Sequence, residues 1–65
     1  MKLGGKVRIK MFEEGKGSYL KPIKKMVGNV TYIDKYKFVV QGEKYRESFK
    51  FADEMCGDIR IEILN

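Results

Sequence analysis

The stretch YIDKYKFVVQGEKYRESFKF, residues 32–51, alternates apolar and charged side chains at nearly every position. A period of two places successive side chains on opposite faces of an extended chain, so the stretch predicts β-strands that are buried on one face. Phe38 and Val40 fall on the predicted buried face, and Lys37 and Gln41 fall on the other. The central question is whether that second face is only solvated or binds something.

Alternating or apolar segments recur along the chain and predict five strands. They lie at residues 6–12, 26–33, 36–41, 44–51 and 58–64. Gly28 is expected to form a bulge that bends the second strand. Gly42 is expected to take a positive φ in a tight turn between the third and fourth strands.

Two connections between these strands are longer. Residues 13–25 contain two glycines and the only proline, Pro22, which predicts a long irregular loop. Before the last strand, Asp53 can cap a helical turn and Gly57 can end it. That stretch is too short for a standing α-helix, so a single 3₁₀ turn is expected.

This order of elements predicts an all-β protein, a five-stranded SH3-like small barrel with a long first loop and one 3₁₀ turn before the last strand. Residues 1–65 are expected to form a single domain. Closing the sheet on itself would remove the exposed edges of so small a β-protein. An Sm-like barrel would usually begin with a helix, and an OB-fold would carry one between its third and fourth strands.

Most of the chain resembles a known group of proteins. KVRIKMF (6–12), GNVTYIDKYKFVV (28–40) and YRESFKF (45–51) are similar to small SH3-like proteins carried by phages and mobile elements of Gram-positive bacteria. GKVRI (5–9) and VGNVTYI (27–33) show a less extensive resemblance to KOW-type barrels of translation and transcription factors. The first resemblance implies a fold and a setting, but it carries no activity and no binding residues.

The composition argues against catalysis and against a metal site. The chain has no histidine and a single cysteine, Cys56, so a catalytic thiol has no imidazole base and no Cys/His metal site can be built. We expect a protein that is not an enzyme and has no cofactor. MKLGGKVRIK (1–10) lacks an apolar signal region, and no apolar run reaches the length of a membrane span. A cytoplasmic protein without membrane association is therefore expected.

The net charge of +5 favours acidic partners, above all phosphate backbones. Lysine and arginine neutralise phosphates, and exposed aromatic rings stack on unpaired bases. We predict a nucleic-acid-binding surface composed of Arg8, Lys10, Lys16, Tyr19, Lys21, Lys24, Lys25, Lys35, Tyr36, Lys37, Lys44 and Arg46. Tyr32 is assigned to the core.

Other interpretations of the charged face remain open. The charged face can be a solvated surface whose lysines only protect the edge strands against aggregation. A protein–protein interaction module, such as a phage-encoded modulator of a host protein, would instead use an exposed apolar patch, for which Phe12, Leu64 and the tip at Tyr19–Leu20 are candidates. An oligomeric sponge for a small anionic ligand would need a basic pocket. A homo-oligomer formed through an outer strand is also compatible with a chain of this size.

Overall fold

The alternating segments form strands in a computed structural model, which describes residues 1–12 and 23–65. The elements in chain order are β1 (Lys6–Met11), β2 (Lys24–Ile33), β3 (Lys37–Gln41), β4 (Arg46–Lys50), α1 (Phe51–Met55) and β5 (Ile59–Ile63). The all-β class is confirmed, and each strand lies within two residues of its predicted bounds. The end of the predicted loop is corrected, because residues 24 and 25 belong to β2.

The strands form one antiparallel sheet in the order β4-β3-β2-β1-β5. β1 therefore lies between β2 and the last strand. The register places Val7 opposite both Gly28 and Ile63, and Ile9 opposite both Met26 and Ile61. Directly opposed residues share a face of the sheet, so this register assigns every strand side chain to one of two faces.

One face, which we call the inner face, carries the hydrophobic core. Its buried side chains are Val7, Ile9, Met26, Val30, Phe38, Val40, Phe49 and Ile59. The Phe38 ring is fully buried, with its centroid 5.4 Å from that of Phe49 and 5.0 Å from that of Phe51. Phe38 therefore lies at the centre of a small core. Burial of each such side chain contributes about 1.5–3 kcal/mol to the stability of the fold.

The helical turn before β5 is an α-helix, which corrects the predicted 3₁₀ turn. The Cys56 N–H donates to the Ala52 carbonyl, four residues back, and the Gly57 N–H that follows donates to the Glu54 carbonyl, three residues back. Asp53 does not cap the helix, because the N-cap position is Lys50 and it makes no side-chain capping bond. Gly57 ends the helix with φ at 87°, as the sequence predicts.

The bulge in β2 lies at Thr31, not at Gly28. The pairing with β3 is regular through Val30, opposite Val40, and resumes with Tyr32 opposite Val39. Gly28 is required for a different reason, since a Cβ there would collide with the Gln41 carbonyl of β3. This close approach explains why only glycine fits at that position.

The bulge also reverses the predicted burial of Tyr32. Val30 lies on the inner face, and two residues further along a regular strand the side chain would be buried as well. The extra residue places Tyr32 opposite Val39 instead, on the other face, where 46% of it is exposed. The assignment of Tyr32 to the core was therefore wrong.

Two further predictions are corrected at the ends of strands. Gly42 does not have a positive φ, and its N–H donates to the Tyr45 carbonyl at 2.8 Å in a loop that delays the start of β4 to Arg46. Phe12 is buried, not exposed, because its ring packs beyond the end of β1, 5.8 Å from the guanidinium carbon of Arg60. Leu64 is exposed, as predicted, and Tyr19–Leu20 lies outside the described residues.

Candidate nucleic-acid interface

The face of the sheet opposite the core, which we call the outer face, is strongly basic. Alternation and register place on it Lys6, Arg8, Lys10, Lys25, Lys37, Arg46, Lys50 and Arg60. Among the described strand residues, Glu62 is the one carboxylate on this face. The remaining carboxylates of the described residues lie in turns, in α1, or on the inner side of β4. The fold therefore separates charge that is mixed along the sequence.

Three of these basic residues form one row across the sheet. Lys25, Lys10 and Arg60 lie directly opposite one another on β2, β1 and β5. Glu62 offsets part of this charge, since its Oε1 lies 3.3 Å from the Lys10 ammonium and 3.4 Å from the Arg8 guanidinium. The hydrogen bond from Lys10, followed by that from Arg8, holds the pKa of Glu62 below its usual value, so this carboxylate stays ionised.

A second row crosses four strands. Lys6, Asn29, Gln41 and Arg46 are successively opposed on β1, β2, β3 and β4. Neighbouring strands are about 4.8 Å apart, so the row extends for roughly 14 Å and has a positive charge at each end. Between these charges, the Asn29 amide donates to the Gly4 carbonyl, and the Gln41 amide donates to the carbonyls of Gly42 and Tyr45. Their amide oxygens can accept hydrogen bonds from base edges.

An open concavity of about 530 Å³ lies on the outer face of β2, β3 and β4. Thr31, Tyr32, Lys37, Val39, Arg46 and Ser48 line it. The Lys37 ammonium lies 5.9 Å from the centre of the Tyr32 ring. An aromatic ring, two cationic side chains and small hydroxyls thus meet in one accessible depression.

The turn between β2 and β3 holds Tyr32 in place. Its phenol donates to Asp34 Oδ2 at 2.9 Å, and Asp34 Oδ1 accepts from the backbone N–H groups of Tyr36 and Lys37 at 2.7 and 2.9 Å. These backbone bonds, followed by the Tyr32 bond, lower the pKa of Asp34, whereas the bond to Asp34 raises the pKa of Tyr32. Tyr32 therefore remains a neutral donor with a fixed ring orientation.

The residues that the sequence predicts for binding are distributed over several places. Arg8, Lys10, Lys25, Lys37 and Arg46 lie on the outer face. Lys35 and Tyr36 lie in the adjoining turn, and Lys44 is exposed in the loop before β4. Lys16, Tyr19 and Lys21 lie outside the described residues.

Lys24 lies apart from the outer face. Successive strand residues point in opposite directions, so Lys24 and Lys25 diverge. The Lys24 ammonium lies 3.8 Å from Glu47 Oε1 and 5.2 Å from the centre of the Tyr45 ring. Its place is therefore at the end of the inner face, where it contacts the β3–β4 loop region.

Sequence reasoning missed four outer-face residues: Lys6, Tyr32, Lys50 and Arg60. The alternation already predicted that Lys6, Lys50 and Arg60 point away from the core, so that pattern could have included them. Tyr32 gave no such signal, because its exposure depends on the bulge at Thr31.

A second surface feature, which we call the α1 groove, lies beside the helix. It is a mainly apolar depression of about 420 Å³ lined by Lys35, Tyr36, Lys37, Lys50, Phe51, Ala52 and Met55. Tyr36 is 71% exposed and Met55 is 83% exposed. Apolar side chains with a lysine rim thus adjoin the concavity, and Lys37 lines both.

Comparisons with known proteins identify no relative. No family model, no curated protein and no solved structure matches the chain. Within residues 1–12 and 23–65, no three carboxylate or cysteine side chains are grouped as a metal site requires, and no helix is long and apolar enough to cross a membrane. The outer face is therefore the main basis for a functional assignment.

Proposed function

We propose that this protein binds single-stranded nucleic acid across its outer face and does not act as an enzyme on it. The observation that carries the proposal is the concentration of basic residues on that face, where the described strands contribute one carboxylate, together with the exposed Tyr32 ring in a concavity. Basic grooves with aromatic platforms are the means by which small β-proteins bind unpaired strands.

A single strand suits this surface better than a duplex does. In a duplex the base faces are stacked on one another and cannot reach the Tyr32 ring. In a single strand each base can stack on an aromatic side chain, which contributes about 1–3 kcal/mol per base. Lys37 and Arg46 line the same concavity, so phosphates on either side of a stacked base would find cationic partners.

The test is fluorescence anisotropy with labelled single-stranded DNA, single-stranded RNA and duplex DNA over a range of salt concentrations. For single strands, log K against log salt is expected to have a slope of about −0.7 for each neutralised phosphate. Lys25→Gln/Arg46→Gln removes two outer-face charges and should lower the magnitude of the slope by about 1.4.

A matched control separates a site from bulk charge. Lys2→Gln/Lys44→Gln removes the same net charge from exposed positions outside the strands, and the salt slope should change little. If the two double variants lose affinity equally, net charge alone attracts the nucleic acid and the outer face is not a site. Equal affinity for duplex and single strand would contradict the role given to Tyr32.

The sheet order also supports a finer description of the fold. β5 returns after a one-turn helix to pair with β1, and β1 to β4 form a meander, as in an SH3-like barrel. We propose that fold for this chain, as a barrel in which β4 and β5 remain end strands that do not pair with each other, with the setting in phages and mobile elements that the sequence resemblance implies. An experimental structure showing an open, flat sheet would contradict the barrel.

The α1 groove supports a second candidate function, binding to a segment of another protein. Its apolar lining and its three lysines are complementary to an aliphatic side chain flanked by carboxylates. Synthetic peptides of that composition, titrated against labelled protein, should perturb the Met55 methyl resonance, and Met55→Glu should abolish their binding. Met55→Glu leaves the outer-face side chains in place but adds a carboxylate to a groove that Lys37 and Lys50 also line, so a modest loss of nucleic-acid affinity is expected as well. Peptides that bind equally well to Met55→Glu would remove this candidate.

A further inference from the structure

β5 is an end strand of the sheet, and half of its backbone groups face away from β1. The Leu64 N–H donates to the Lys6 carbonyl at 2.9 Å, and the Phe12 N–H donates to the Asp58 carbonyl at 2.8 Å. In an antiparallel pair alternate residues bond to the neighbour, so the backbone groups of Ile59, Ile61 and Ile63 point to the open edge. Among the described residues, these groups have no hydrogen-bonding partner.

The opposite end of the sheet is protected by charge. The Phe51 N–H bonds to the Tyr36 carbonyl, so Arg46, Ser48 and Lys50 are the β4 residues whose backbone faces outward. Charged side chains on such an edge discourage pairing with another chain. On β5 the outward-facing backbone groups belong to Ile59, Ile61 and Ile63 instead. Of these three side chains Ile59 is buried, Ile61 is partly buried and Ile63 is 54% exposed.

The sequence of β5, IRIEI, is complementary to itself in the antiparallel direction. If two copies align with Ile61 opposite Ile61, Arg60 of each copy lies opposite Glu62 of the other. Ile59 of each copy then lies opposite the exposed Ile63 of the other. The same register satisfies both the backbone and the charges. The isoleucines form the hydrogen-bonded pairs, and Arg60 and Glu62 meet in the non-hydrogen-bonded pairs, where opposed side chains lie closer together.

We propose that two copies of this chain associate through β5, antiparallel and with a two-fold axis at Ile61. The pairing forms about six main-chain hydrogen bonds, two for each of three isoleucine pairs. It joins two five-stranded sheets into one and makes the two outer faces continuous. The proposal does not depend on nucleic-acid binding, although a longer basic face would serve it.

The contact is a single strand pair, which is smaller than a standard protein interface, so the dimer should be weak and concentration-dependent. Sedimentation equilibrium of the full chain should show a mass that rises from 7.6 kDa toward twice that value between about 10 µM and 1 mM. A mass that stays at the monomer value up to about 1 mM would overturn the proposal.

Charge reversal tests the register. Arg60→Glu opposes two like charges in the dimer and should weaken association about tenfold or more, whereas Arg60→Glu/Glu62→Arg restores opposite pairs and should recover it. Arg60→Glu places a carboxylate opposite Lys10 but removes the guanidinium beside the Phe12 ring, so circular dichroism must first show that the variant monomer is folded. Association that is indifferent to Arg60→Glu would overturn the proposed register.

Cross-linking provides a readout that remains valid if the double variant folds poorly. In a Cys56→Ser background, Ile61→Cys places two cysteines at the two-fold axis, at a Cα separation of about 5.5 Å that a disulfide can bridge. Ser48→Cys, at the centre of the β4 edge, is the matched control. Disulfide formation by Ile61→Cys and not by Ser48→Cys is the expected result. The reverse pattern would show that the chain associates through β4 and would overturn the proposal.

Discussion

Lys37 and Lys50 lie directly opposite each other on β3 and β4, and both point to the outer face. Like charges in this position destabilise a sheet. Within the described residues, neither lysine is bridged to a carboxylate, since the ion pairs there involve Arg8, Lys10 and Lys24. Both lysines line the α1 groove, where a bound phosphate or carboxylate would relieve the repulsion between them.

We predict that Lys50→Glu stabilises the fold and weakens nucleic-acid binding. The substitution converts a repulsive cross-strand pair into an attractive one, which contributes about 0.2–1 kcal/mol. For a domain of this size, the thermal midpoint should rise by a few degrees. Thermal melts by circular dichroism and anisotropy titrations measure the two effects on the same sample.

Lys44→Glu is the control for this prediction, because it makes the same charge change at an exposed loop position. It has no opposed strand lysine, so the midpoint should stay nearly constant. Equal stabilisation by both variants would mean that the gain comes from a lower net charge and not from the Lys37–Lys50 pair.

Tyr32→Ala should weaken binding to single strands by about 5- to 150-fold, since it removes a stacking platform valued at about 1–3 kcal/mol. Tyr32→Phe keeps the ring and should retain most of the affinity. Tyr45→Ala is the matched control, because Tyr45 is 44% exposed but contacts Lys24 rather than the outer face. Comparable losses from Tyr32→Ala and Tyr45→Ala would argue against stacking in the concavity.

Asp34 should titrate below the usual range for an aspartate, and Tyr32→Phe should raise its pKa toward that range. The pKa of Asp34 is lowered mainly by the Tyr36 and Lys37 N–H groups and then by the Tyr32 phenol. These bonds favour the ionised form in the folded state. The stability they contribute is therefore present above the unfolded pKa of about 3.9 and is lost as the pH falls through the lower folded value.

NMR titration of the Asp34 carboxyl carbon measures this shift. Tyr36→Phe is the control, because the Tyr36 bond to Asp34 comes from its backbone N–H and survives loss of the hydroxyl. An Asp34 pKa that is unchanged in Tyr32→Phe would show that the phenol does not bond to the carboxylate in solution.

Gly28→Ala should lower the free energy of unfolding by about 3 kcal/mol or more, since overpacking typically costs about 1–3 kcal/mol and the collision here is with backbone. The added Cβ would lie 2.9 Å from Val40 Cγ1 and would also collide with the Gln41 backbone, so β2 and β3 must separate locally. Denaturant unfolding measures the change. Gly4→Ala is a useful comparison, since a methyl group added there would meet no atom within 4 Å and only the φ of 82° opposes the side chain. A loss no greater than that of Gly4→Ala would contradict the packing account.

The strand pattern was predictable because burial on one face imposes a period of two on the sequence. Phe38, Val40 and Phe49 were placed correctly for that reason. The exposure of Tyr32 was not predictable, since a bulge shifts the period by one residue and nothing in the local sequence locates it at Thr31. The burial of Phe12 depends on Arg60 and Asp58, which are distant in sequence.

The sequence predicted which residues of the candidate site point outward better than it predicted how they are grouped in space. Alternation predicts that Lys10, Lys25 and Arg60 each point outward, but only the pairing of β1 with β2 and β5 puts them in one row. Lys24 and Lys25 look equivalent in a predicted loop, and they diverge because the residues are the start of a strand.

The most direct test of the outer-face site is an NMR titration of isotope-labelled protein with a short single-stranded oligonucleotide at near-physiological salt. We predict that saturable shift changes concentrate on Arg8, Lys25, Tyr32, Arg46 and Ser48, while Ala52 and Met55 change little. Weak changes spread over the whole surface, or changes confined to α1, would contradict the assignment of nucleic-acid binding to the outer face.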